Sequence, residues 1–156
     1  MRKRYKTFFW GGLIIFLSMQ LYQPARNVDK GQVSSADFTK AYNVPNNIQG
    51  TLKTSCYDCH SNNTRYLWYD YIQPARMLIQ NHIKNGKENL NFNEWGNYSS
   101  RMQNNKLDRI AKQIKSNEMP LVSYTLIHKN AALSDIQKRE LLIWLNELQL
   151  SISLQN

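Results

Sequence analysis

Only two cysteines, Cys56 and Cys59, and only three histidines, His60, His82 and His128, occur in this chain of 156 residues. A structural zinc site needs four ligands, usually in two spaced pairs, and here the second pair is missing. His82 and His128 lie far apart and outside His-x3–5-His spacing, which leaves zinc a weak reading. Sustained apolar/polar alternation is also lacking, so no sheet of useful size is expected. Without strands there is no βαβ setting for a thioredoxin-like dithiol. No internal repeat is visible. Beyond the N-terminus, no basic stripe interleaves with the aromatics. The net charge of +9 is front-loaded, because Arg2, Lys3, Arg4 and Lys6 all precede the first acidic residue. A mildly basic surface fits the remainder better than nucleic-acid binding does.

Behind those four cations comes "FFWGGLIIFLSMQLY", Phe8 to Tyr22, which has the shape of a signal sequence or signal anchor. No A-x-A-like cleavage site precedes Gln23-Pro24, and no cysteine follows the run to take a lipid. Fifteen helical residues reach about 22 Å against a hydrocarbon core of roughly 30 Å. Tyr5, Trp10 and Tyr22 at the interfaces, with Lys6 snorkelling, extend the usable length. The expectation is an uncleaved transmembrane anchor over 1–22, entering N-in by the positive-inside rule. Residues 23–43, polar and carrying Pro24 and Gly31, are expected to be a tether. A domain over 44–150 would then lie outside the cytoplasm.

Helical signals dominate that domain. Pro45 suits a first helical position, and Ile48, Leu52 and Cys56 recur every four residues, leading a helix into the cysteines. A second helix is expected from about Pro74 to Asn85, with Ala75, Ile79, His82 and Ile83 on one face and Gly86 as its stop. Leu107, Ile110, Ala111 and Ile114 mark a third. The last opens on a capping box of Ser134 with Gln137 and carries Leu141, Trp144, Leu145 and Leu148 on one stripe. "NNTRYLWYDY" and "NLNFNEWGNY" read as loops. The domain is therefore all-α with long loops, and long loops in a small domain need something to pack against.

The stretch "TSCYDCH" is open to a redox dithiol, a half zinc site, a short disulfide or a covalent haem site. A disulfide closing so short a loop stabilises little. Only haem c uses all three side chains at their actual spacing. Thiols at i and i+3 can add to two vinyl groups on one porphyrin edge, and the adjacent histidine binds the iron through a neutral imidazole nitrogen. A sixth ligand in small cytochromes c is often a downstream methionine, whose thioether raises the potential. Met119 in "SNEMPLVSY" sits in a loop directly before Pro120, which restricts the chain beside it. Met77 and Met102 fall in helical stretches and suit a core. His82 and His128 are the rival ligands. Tyr66, Trp68, Tyr69 and Trp95 are candidate pocket walls, with aromatic core as their alternative.

Together, "TSCYDCHSNNTRYLWY", "NHIKNGKENLNFNEW" and "EMPLVSYTLIHKNAALSD" resemble the bacterial haem-binding domain family of membrane-anchored, monohaem cytochrome c-like proteins. The similarity covers roughly residues 38–148. One departure is Leu67, where the family usually has proline. The resemblance implies a cytochrome c-like helical fold around one haem c, attached through Cys56 and Cys59, with iron held by His60 and Met119. It implies the extracytoplasmic face of a bacterial cytoplasmic membrane, with the haem c assembly machinery and membrane or periplasmic redox proteins as partners. The family carries no assigned reaction. An electron carrier rather than an enzyme is the leading expectation. Its alternative is a haem-based redox or gas sensor or interaction module with a displaceable distal ligand, and peroxidase-like chemistry would rest on His82 or Glu118.

Overall fold

The computed structural model describes residues 2–29 and 34–154, and every regular element among them is helical. An isolated antiparallel bridge, Val28 to Asn63, is the nearest approach to a strand. The all-α expectation holds.

The first helix, α1 (Arg2–Met19), stands away from the domain with Phe8, Phe9, Trp10, Ile14 and Ile15 exposed. Among the described residues no helix is long and apolar enough to cross a membrane, which corrects the expected transmembrane anchor. The helix stops at Met19, and its first turns hold the four cations. That leaves a stretch of apolar character from Thr7 to Met19, about 20 Å at 1.5 Å per residue. Tyr22, read as the end of the run, lies beyond the helix.

The expected tether does not hang free, although its residues 30–33 lie outside the described residues. Residues 20–29 lie against the domain through side-chain hydrogen bonds in which Gln20 and Asn27 donate and Gln23 accepts from Arg76. Residues 34–43 join the core. Asp37 caps the short helix α2 (Phe38–Ala41) by accepting from the Thr39 N–H at 2.8 Å, and Phe38 is wholly buried. Capping by an aspartate is worth about 1 kcal/mol. Phe38 meets Tyr42, Phe92, Trp95 and Trp144 edge-on or tilted, with centroids 4.7–5.7 Å apart.

Helix α3 (Asn46–Ser55) follows Pro45 and buries Ile48 and Leu52, as the four-residue spacing requires. It ends at Cys56, and one further turn, α4 (Tyr57–His60), holds the rest of the motif. A 3-10 turn at Trp68–Tyr71 opens with the Leu67 N–H donating to Asp70, a bond that proline could not make. Helix α5 (Ala75–Asn89) outruns its expected end. "NLNFNEWGNY" is not a loose loop either, since Phe92–Asn97 forms a 3-10 helix whose Phe92 and Trp95 enter the core.

Helix α6 (Ser100–Lys115) packs Leu107 and Ile114 against α8 (Asp135–Leu154), which buries Leu141, Leu145, Leu148 and Ile152. Ser134 and Gln137 form the expected capping box, each backbone N–H reaching the other's side chain at 2.9 and 3.2 Å. Between α6 and α8 the chain makes α7 (Val122–Thr125) and a 3-10 turn at Lys129–Ala131.

Candidate functional site

The motif lies where α3 breaks. Cys56 closes that helix through its N–H to the Leu52 carbonyl, and its own carbonyl then receives the N–H groups of Cys59 and His60 at 3.2 and 3.0 Å. A single turn therefore sets both thiols and the imidazole. Tyr57, inside the turn, stacks on Phe92 with ring planes 3° apart and anchors it to the core.

Helix α5 presses on the motif's other side, and Gly86 makes the approach possible. A Cβ there would meet the Cys59 carbonyl oxygen at 2.7 Å. This glycine is no helix stop; it lies inside α5 because the backbones come too close for a side chain. The Gly86 carbonyl accepts from Leu90 N–H at 2.8 Å and closes the helix. The Leu90 carbonyl in turn faces His60, with Nδ1 at 3.1 Å. A carbonyl only accepts, so Nδ1 carries the hydrogen and Nε2 keeps its lone pair. Burial lowers the His60 pKa, opposed by the nearby backbone carbonyls of Leu90 and Gly86. The ring is held as a neutral imidazole.

The two cysteines are free. Burial, with Cys59 nearby, pushes the Cys56 thiol up to about 12. Burial and the Asp58 carboxylate push Cys59 up to about 11. Reactive redox thiols are tuned the opposite way, so the dithiol reading loses ground. Among the described residues no group of three or more His, Cys, Asp or Glu is gathered to hold a metal ion, which weakens the zinc reading further.

Beside Cys59 opens a cavity of about 210 Å³ between α5 and residues 121–128. Ala75, Ile79, His82 and Ile83, the face anticipated for the second helix, border it together with Leu121 and Tyr124. Polar groups gather at one side. Tyr124 donates to Asp58 Oδ2 at 2.6 Å, and the Arg65 N–H donates to Oδ1 at 3.1 Å. The Tyr124 ring stacks on His128 at 4.1 Å, and His128 Nε2 shares a 2.6 Å hydrogen bond with the Tyr69 hydroxyl. Burial and the Asp58 contact raise the Tyr124 pKa, so this phenol stays a donor.

The candidate residues are not all brought to this cavity. Cys59 borders it; Cys56, His60 and Met119 do not. Met119 is half-buried in the turn after α6, its N–H bonded to the Gln113 carbonyl at 3.2 Å, two residues before the lining Leu121. His82 and His128, the rival ligands, both face the cavity. Of the four aromatic wall candidates only Tyr69 borders it. Trp95 is core, Trp68 is 75% exposed, and Tyr66 bonds Asn27 and Gln80 elsewhere. Sequence reading missed Asp58 and Tyr124 as a pair, because their contact joins residues 66 apart. It also missed the buried asparagines. Asn93 reaches Asp37 at 2.6 Å and receives the Asn62 N–H at 2.6 Å, fixing the chain as it leaves the motif.

The fold and site together define a small all-α domain in which an oriented, neutral imidazole follows two protonated thiols beside a largely apolar cavity. A family model described as a haem-binding domain matches residues 14–147, and the chain belongs to that family. No curated protein and no solved structure matches it.

Proposed function

We propose that the domain carries one covalent haem c and serves electron transfer. Cys56 and Cys59 would hold the group as thioethers, His60 Nε2 would bind the iron, and Met119 would supply a second ligand. The observation that carries this reading is the 3.1 Å contact between His60 Nδ1 and the Leu90 carbonyl. Metal-bound histidines characteristically donate their second ring N–H to such an acceptor, which sets the tautomer and ring plane. The other residues fit the group as well. Both cysteines are free and unpaired with each other, as the addition of S–H across a vinyl double bond requires. Ile79, Ile83 and Leu121 give the cavity beside Cys59 an apolar lining. Bound haem c supplies one-electron chemistry, with a potential set by axial ligation, burial and nearby charge.

The same proposal places the domain on the extracytoplasmic side of a bacterial membrane, associated with it through the exposed apolar surface of α1. Partners would be membrane or periplasmic redox proteins, after loading by the haem c assembly machinery.

The test is a pyridine haemochrome spectrum on protein matured with that machinery. Haem that stays on the denatured polypeptide supports covalent attachment; haem that extracts into acid acetone overturns it. A second reading, a sensor with an open distal side, is favoured by the cavity lining, which includes His82 and His128 but not Met119. Carbon monoxide separates the two, because ready binding by the reduced protein means an open or displaceable site.

A further inference from the structure

The segment joining α1 to the domain is fastened at both ends. Gln20 grips the backbone of Gln73, its Oε1 accepting the Gln73 N–H at 2.9 Å and its Nε2 donating to the Gln73 carbonyl at 3.4 Å. The buried Gln73 side chain donates to the Tyr22 carbonyl at 2.6 Å, while buried Arg76 donates to Gln23 and to the Pro24 carbonyl. Further along, Asn27 donates to the Ser61 carbonyl at 2.8 Å and accepts from Lys87 at 2.7 Å. These bonds hold the segment against the domain, and lifting it would strip buried Gln73 and Arg76 of their partners.

The grip on Gln73 brings the end of α1 beside the turn just before it. That turn is uncovered and apolar: Trp68, Tyr71 and Ile72 are all exposed. Its acidic member, Asp70, is buried and occupied by the Leu67 N–H. Two exposed cations flank it, with the half-buried Asp58 carboxylate behind Arg65. Arg26 lies over the Tyr71 ring at 5.8 Å and donates to its hydroxyl at 3.2 Å, and Arg65 is exposed. Exposed tryptophan and tyrosine with flanking arginine match the headgroup zone of an anionic bilayer, where aromatic rings and cations both find partners.

We propose that Trp68, Tyr71 and Ile72 form a second contact with an anionic phospholipid bilayer, held in register with α1 by the Gln20–Gln73 strap. This rests on the membrane association of α1 proposed above. The domain then docks against the surface instead of swinging on a tether. Tyr69, in the same turn, borders the cavity beside Cys59, so docking brings that side of the cavity towards the membrane. A redox partner embedded in the bilayer is met there without a search by the domain.

The experiment is hydroxyl-radical footprinting of the full-length haem-loaded chain, with vesicles of phosphatidylcholine and phosphatidylglycerol and without them. Trp10 reports on α1, and Trp68 with Tyr71 reports on the turn. Severalfold protection of all three supports the proposal. Protection of Trp10 alone overturns it and leaves the association of α1 standing, whereas protection of none removes both. In a Gln20→Ala, Gln23→Ala variant, Trp10 should stay protected while Trp68 becomes reactive. Protection of Trp68 that survives in this variant overturns the role of the strap. Trp68→Ala should weaken vesicle binding severalfold without altering the haem spectrum; unchanged binding counts against the contact.

Discussion

His60 Nδ1 lies 3.1 Å from the carbonyl of Leu90, thirty residues along the chain, and that contact decides which nitrogen is free. His60→Ala should prevent a normal low-spin site even where haem remains attached. The absorption spectrum of the matured variant checks this, and a wild-type spectrum would remove His60 as a ligand.

Met119 is tested separately. Met119→Ala should abolish the sulfur-to-iron charge-transfer band and lower the reduction potential, as thioether ligation raises it. Visible spectroscopy of the oxidised protein with a redox titration provides the check. A band that survives assigns the sulfur to another methionine, Met77 or Met102, whereas a parent protein with no such band assigns that ligand to a nitrogen, with His128 and His82 next to be replaced.

Gly86→Ala runs against the usual helix rule. In an ordinary helix interior the change gains about 0.5–1 kcal/mol. Here the new methyl meets the Cys59 carbonyl oxygen at 2.7 Å, so a loss of about 1–3 kcal/mol is expected, the range for overpacking. Urea unfolding of both chains measures it, and a gain in stability would mean the backbones separate freely.

Tyr124→Phe deletes the donor to Asp58 Oδ2 while keeping the ring on His128. Hydrogen bonds to a charged group are worth about 1.5–3 kcal/mol, and partial exposure puts this one near the lower end. Thermal unfolding should show the loss, and Asp58→Asn combined with Tyr124→Phe should cost less than the two changes summed.

The haem-free chain should lose stability as pH falls below 6.5, the ordinary histidine value. Burial lowers the folded pKa of His60, so in that window the unfolded chain binds the proton and the folded chain resists it. The contribution is complete above 6.5 and disappears through the lowered value. Urea midpoints at pH 7.5 and 5.5 measure the slope, and His60→Gln should flatten it.

Much of this molecule is legible in the sequence because its signals are local. The spacing of Ile48, Leu52 and Cys56, the Ser134–Gln137 box and the stripe on the last helix each rely on residues within a turn or two, where backbone geometry settles neighbours. The motif Cys56, Cys59, His60 belongs with them, and so does the absence of strands among the described residues. Tertiary structure decided what depends on contacts between distant segments. The tautomer of His60 is set by Leu90. The conformational reason for Gly86 is set by Cys59, which is why a residue read as a helix stop lies inside a helix. The tether's fate hung on Gln73 and Arg76, two buried polar side chains whose need for partners no periodicity shows. Charge, spacing and capping are written along the chain, while the satisfaction of buried donors and acceptors is a property of the packed molecule alone.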